Sequence, residues 1–146
     1  MKKQEFKILI DAPREKVWDV IIGKDTYPQW TAPFAEGSNA KTDWKKGSKA
    51  IFSSGNGDGM VSEIAENIPH EFLSIRHLGM ITNGVEDLDS EEIKKWSGSM
   101  EDYRLSDVGG KTEWKVEMDV AGEWEDYMNE TWPLALQKAK ELAEKP

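Results

Sequence analysis

Alternating apolar and polar residues open the chain. Phe6, Ile8 and Ile10 share one face of a short strand, and Asp11 ends it. The period then lengthens: Val17, Trp18, Ile21 and Ile22 fall at helical spacing, so FKILIDAPREKVWDVII reads as a strand turning directly into a helix. Asp11 or its neighbour is placed to cap that helix, Pro13 suits its first turn, and Glu15 sets negative charge near its positive end. Gly23-Lys24-Asp25 breaks the pattern. A second short helix or turn is expected over Asp25 to Trp30, followed by loop from Thr31 to Asn39.

Strand-like segments follow near Ala40 to Trp44, Lys49 to Ser54, Met60 to Asn67 and Phe72 to Leu78. Turn chemistry separates them at Lys46-Gly47-Ser48, at Gly55-Asn56-Gly57-Asp58-Gly59 and at Ile68-Pro69-His70. The stretch Gly84 to Gly98 is acidic and polar. A helical turn over Ser90 to Trp96 is only weakly signalled there, because Ser90 followed by Ile93 makes no capping box. Two more strands, Ser99 to Asp107 and Thr112 to Val120, flank Val108-Gly109-Gly110-Lys111; in the second, Thr112, Trp114, Val116, Met118 and Val120 share the core-facing side. The closing segment, Glu123 to Glu144, predicts the longest helix, with Trp124, Met128, Trp132, Ala135, Ala139 and Leu142 on one stripe flanked by Tyr127, Thr131 and Leu136. Pro133 removes a backbone donor inside it, so a kink or restart is expected.

Size and composition narrow the classes. At 146 residues with 38% hydrophobic and 32% charged residues, the chain reads as one soluble domain with a core. No apolar run approaches the roughly 20 residues that cross a bilayer, and the first residues lead straight into a strand without a signal-peptide segment. With no cysteine, disulfides, thiolate nucleophiles and thiolate metal sites are excluded, and a cytoplasmic location is expected. A net charge of −9 opposes binding to nucleic acid or to anionic lipid.

The motifs Asp11-Ala12-Pro13-Arg14-Glu15-Lys16-Val17-Trp18, Tyr27-Pro28-Gln29-Trp30, Gly59-Met60-Val61-Ser62-Glu63-Ile64 and Ile68-Pro69, with the final amphipathic helix, carry a family likeness. The chain resembles the START-related helix-grip (SRPBCC) superfamily, and within it the homologues of the C-terminal domain of the heat-shock-protein-90 ATPase activator. The resemblance covers the whole chain, read as a single domain over residues 1–146. It implies an α+β helix-grip fold in β-α-α-β6-α order: a curved antiparallel sheet of six or seven strands wrapped around a long C-terminal helix. It also implies an apolar space between sheet and helix. Chaperone contacts in the two-domain relatives rely on a second domain, which is not expected in a chain read as one domain, so chaperone activation is not carried over; nor does the superfamily share a catalytic set to transfer.

Seven tryptophans are many for an acidic chain of this size. Trp114 on the last strand and Trp132 on the closing helix face each other, and with Met118, Met128, Tyr103 and Phe52 they either fill the core or line a flat apolar cavity. Trp30, Trp44 and Trp96 fall in or beside loops, as rim, lid or ordinary half-buried rings. His77 follows Leu73 and Ile75 at strand alternation and points to their face. There it is either a ligand or proton-transfer group, or a core histidine satisfied by a backbone group or Tyr103. Arg76 should point outward into a salt bridge, and His70 should be exposed. The acidic run from Glu86 to Glu92 lacks an EF-hand's spacing, two histidines without cysteine make a poor zinc site, and Gly55 to Gly59 lacks the Lys-Ser/Thr of a phosphate cradle. Neither metal nor cofactor is expected.

The leading expectation is a binder of a small hydrophobic or aromatic molecule in the cavity, with Phe52, His77, Tyr103, Trp114, Met118, Met128 and Trp132 as ligand-binding residues. The alternatives are a protein-interaction module using the acidic surface, and a cyclase- or hydrolase-type enzyme using His77 or Tyr103.

Overall fold

The computed structural model describes residues 1–146. Strand β1 (Lys2–Ile10) runs into helix α1 (Arg14–Ile22) and the short helix α2 (Tyr27–Trp30). Strands β2 (Asn39–Lys41), β3 (Lys49–Ser53), β4 (Gly59–Ile68), β5 (Phe72–Thr82) and β6 (Val85–Asp87) follow. After helix α3 (Glu91–Lys94) come β7 (Ser99–Val108), β8 (Lys111–Val120), a 3-10 turn at Gly122–Trp124 and helix α4 (Glu125–Glu144). All pairings are antiparallel, in the order β1-β8-β7-β5-β4-β3-β2, with β6 added to the end of β5. This is the expected helix-grip architecture with two additions, β6 and α3, both in the acidic stretch.

Several local expectations are corrected. Asp11 does not cap α1: Pro13 occupies the cap position without a side-chain bond, and the Asp11 backbone N–H donates to Glu144 Oε2 at 2.8 Å, tying this turn to the end of α4. The far end of α1 is finished by side chains instead. Thr26 Oγ1 donates to the Val20 carbonyl at 2.7 Å and Trp30 Nε1 to that of Ile21 at 3.2 Å, satisfying groups the helix leaves open. The β2 strand stops at Lys41, short of Trp44, whose φ is 63°. Ser90 does cap α3, accepting from the Ile93 N–H at 3.3 Å without a capping box. Pro133 causes no restart, since α4 runs unbroken from Glu125 to Glu144. Trp124 lies before that helix and is half exposed, so the buried stripe consists of Thr131, Trp132, Ala135, Leu136, Ala139 and Ala143.

That stripe divides α4 into two functional halves. Ala135, Ala139 and Ala143 are small and buried along the C-terminal half, whose end meets the β1–α1 turn at Asp11 and Glu144. Val17, Trp18, Val20 and Ile21 fill this end together with Ile10 and Val116. The N-terminal half carries Tyr127, Met128 and Trp132, which line the cavity beneath it, while β1 meets this half through Phe6 stacked on Trp132.

Candidate functional site

A cavity of about 450 Å³ lies between the concave face of the sheet, α2 with the loop that follows it, and the first half of α4. Of its 28 lining residues, 18 are hydrophobic, so its walls suit an apolar body. Six of the seven expected site residues line it: Phe52, His77, Tyr103, Met118, Met128 and Trp132. The seventh, Trp114, is a correction. It is fully buried behind the wall, edge-on to Trp30 (5.3 Å between ring centroids), Tyr103 (5.4 Å) and Trp132 (6.4 Å), and does not reach the cavity. Inward alternation identified the face but not the depth, because Trp30 lies between that ring and the void.

Trp30 is the second correction. Placed at a loop by its surroundings in the sequence, it is 1% exposed and forms the floor of the cavity, packed on Tyr27, Tyr103, Trp114 and Trp132. Trp96 lines the cavity half-buried, whereas Trp44 packs outside the lining against Tyr27 and Phe52. His70 is half-buried rather than exposed, its ring edge-on to Trp18. Arg76 points outward to Glu63 at 2.7 Å, as expected.

One polar network interrupts the apolar wall. Ser62 Oγ lies 2.7 Å from His77 Nδ1, His77 Nε2 lies 3.0 Å from Glu101 Oε1, and the Tyr103 hydroxyl donates to Glu101 Oε2. A carboxylate only accepts, so His77 Nε2 carries a proton, and in the tautomer with hydrogen on Nε2 alone Nδ1 accepts from the Ser62 hydroxyl. The His77 and Glu101 side chains are 10% and 13% exposed, and both face the cavity. Ser62 is wholly buried outside the lining, so Ser62-His77-Glu101 does not present a nucleophile to a ligand. The expected partners of His77, a backbone group or Tyr103, are replaced by Ser62 and Glu101, with Tyr103 joined one step later.

Burial, reinforced by the negative charge of Glu101, raises the Tyr27 and Tyr103 hydroxyls well above their ordinary 10.0. Burial also raises Tyr127, whose hydroxyl donates to the Phe34 carbonyl at 2.6 Å and so latches the loop after α2 onto α4 at the cavity mouth. The indole N–H groups of Trp114 and Trp132 are buried without acceptors. No cluster of three or more histidine, cysteine or carboxylate side chains has the geometry of a metal site. No helix is long and apolar enough to cross a membrane.

Residues 11–82 match the family model described as activator of Hsp90 ATPase homolog 1-like protein. This chain is an AHSA1-type helix-grip domain. Solved structures agree along its full length. The Mesorhizobium loti protein MLL2253 superposes with a TM-score of 0.75 at 15% identity, over 97% of this chain and 96% of that one. The Aha1 dimer from Colwellia psychrerythraea gives 0.73 at 17% identity, over 99% and 97%. DynU16, of the dynemicin biosynthetic locus, gives 0.74 at 15% identity over 99% of this chain, which spans only 48% of that protein. At such identities the likeness shows the fold. None of the curated proteins matches the sequence. In this AHSA1-type domain Tyr27, Phe52 and His77 lie inside the matched residues, while Glu101, Tyr103, Met118 and Trp132 lie beyond them.

Proposed function

We propose that this AHSA1-type domain binds a small hydrophobic or aromatic molecule in the cavity between the sheet and α4. The observation that carries this reading is the 450 Å³ void itself, walled largely by apolar side chains in a core otherwise filled with bulky rings. A guest seated in it would take apolar wall out of contact with solvent, which favours binding. The volume of the void falls in the range of small-molecule sites. Catalysis is not part of the reading: the only histidine in the lining, His77, has both ring nitrogens engaged by Ser62 and Glu101. A cytoplasmic setting, expected from the absence of cysteine, belongs to the same proposal.

The test is titration with the uncharged dye N-phenyl-1-naphthylamine, followed by dye emission and tryptophan quenching. Saturable binding at one site is expected, and Met118→Trp, which fills the void from β8, should abolish it while circular dichroism stays native. Ala121→Trp at the mouth gives a second route to the same loss. Absence of saturable binding to the unsubstituted chain would overturn the proposal, as would binding that survives both fillings.

A further inference from the structure

We infer that the cavity selects a guest whose apolar body carries a cationic or hydrogen-bond-donating head, seated against Glu101, and that it rejects carboxylate-headed molecules. The inference rests on the proposed binding reading and names the ligand class that reading leaves open.

An inventory of charges and hydrogen-bonding groups in the wall carries it. No lysine or arginine lines the cavity, whereas three carboxylates do: Asp58, Glu101 and Asp119. The only other cation on a lining residue is the α-ammonium of Met1, a residue 63% exposed. Asp58 is used by the Asn83 N–H and Asp119 by the Met100 N–H, both at 3.0 Å. Glu101, its side chain 13% exposed, is the carboxylate held between His77 and Tyr103. The donors around it are already spent, since His77 Nε2 and the Tyr103 hydroxyl both donate to Glu101 itself. Each carboxylate oxygen accepts more than one bond, so acceptor capacity remains while charged donor capacity does not. The other side-chain donors on lining residues, the hydroxyls of serine, threonine and tyrosine and the indole N–H groups of tryptophan, are all neutral.

An incoming carboxylate beside Glu101 would therefore meet a like charge among apolar walls with no lysine or arginine to offset it, which is the costly case. An ammonium would meet Glu101 together with nearby ring faces. The rings beside Glu101 are those of its two donors, His77 and Tyr103, with Phe52 edge-on to His77 at 6.4 Å between centroids and Trp30 edge-on to Tyr103 at 6.4 Å. A hydroxyl or amide N–H head would use the same oxygens without the charge term.

The experiment is calorimetric titration at neutral pH with three probes sharing one ring system: 2-naphthylmethylamine, 2-naphthylmethanol and 2-naphthoate. The amine is expected to bind at least about tenfold tighter than the carboxylate, with the alcohol between them. Glu101→Gln should bring amine and alcohol to within about twofold of each other, because the charge is gone and an acceptor remains. Equal affinities for amine and carboxylate would overturn the head-group inference, as would an amine preference unchanged in Glu101→Gln. The order seen with the unsubstituted chain tests the idea even if that variant fails to fold. Binding of N-phenyl-1-naphthylamine with none of the three probes bound removes the head-group inference alone. Failure of the dye and of all three probes removes the binding proposal as well.

Discussion

Replacing Ser62 by alanine deletes one oxygen from a position with no solvent exposure and isolates the contribution of the buried network. Ser62 Oγ is the partner of His77 Nδ1, at 2.7 Å. Ser62 has no solvent exposure, so bulk water does not reach the position to take the place of the hydroxyl. His77 cannot escape by moving its proton to Nδ1, because Nε2 would then face Glu101 without a hydrogen to donate. The variant therefore leaves a buried acceptor unpaired, at a cost of about 1–3 kcal/mol. At roughly 3 °C per kcal/mol for a domain of this size, a loss of about 2 kcal/mol lowers the Tm by about 6 °C. Thermal and urea unfolding should agree on the change with the m-value unchanged. The decisive control is the same substitution in a His77→Phe background. With no Nδ1 to satisfy, deleting the hydroxyl there should be neutral or stabilising, giving a coupling of about 1–3 kcal/mol in the double-mutant cycle. A Tm for Ser62→Ala within about 1 °C of the unsubstituted chain, or equal losses in both backgrounds, would refute the network as drawn.

Other substitutions probe other joints. Gly79→Ala would place a Cβ 2.2 Å from the Asp87 carbonyl oxygen and 2.5 Å from Leu88 Cδ2, so β6 must leave β5; a loss of about 2 kcal/mol or more in urea unfolding is expected. Lys140 first and then the Asp11 backbone N–H hold the Glu144 carboxyl below its ordinary 4.5. A depressed carboxylate stabilises the fold above its unfolded value and loses that effect as pH falls through the folded one. Glu144→Gln should accordingly be less stable at neutral pH, with the gap closing below 4.5 in acid titrations. The raised tyrosines act in the opposite direction. Stability should fall as pH climbs past 10.0, where the unfolded chain ionises and the folded one does not, and Tyr27→Phe should flatten that alkaline limb in unfolding curves followed with pH. Tyr127→Phe breaks the latch to Phe34, so bound N-phenyl-1-naphthylamine should leave several-fold faster in stopped-flow displacement; an unchanged off-rate would deny the loop any gating role.

The strands and long helix were legible because their apolar residues repeat at fixed periods and one face of each is buried. The β8 run from Thr112 to Val120 is the clearest case, each expected inward residue being buried. Where burial comes from outside the segment, the signal failed. Val85 to Asp87 has only one apolar residue, and its strand exists because β5 extends past His77 and offers it an edge. Trp30 sits among polar and turn-forming neighbours, and only the docking of α2 on α4 carries it into the core.

Glu101 shows why the site was harder to read than the fold. Parity along β7 placed Tyr103 inward, and the same parity places Ser99, Glu101 and Leu105 on that face. The signal was present, but the general rule that a glutamate faces water runs against it. The donors that make an inward carboxylate tolerable come from elsewhere in the chain. His77 stands on β5, beside the Ser99 position of β7, and Ser62 meets it from β4 only after the pairing shifts by one residue between Val61 and Ser62. A register shift of that kind leaves no periodic trace, because it moves partners without altering composition. The apolar wall could thus be assembled from local alternation, whereas the charge set into it depends on three strands arriving in one alignment. On the proposed reading, in which the wall takes an apolar body and the charge selects its head group, the part of the site least visible in the sequence is the part that would set the choice of guest.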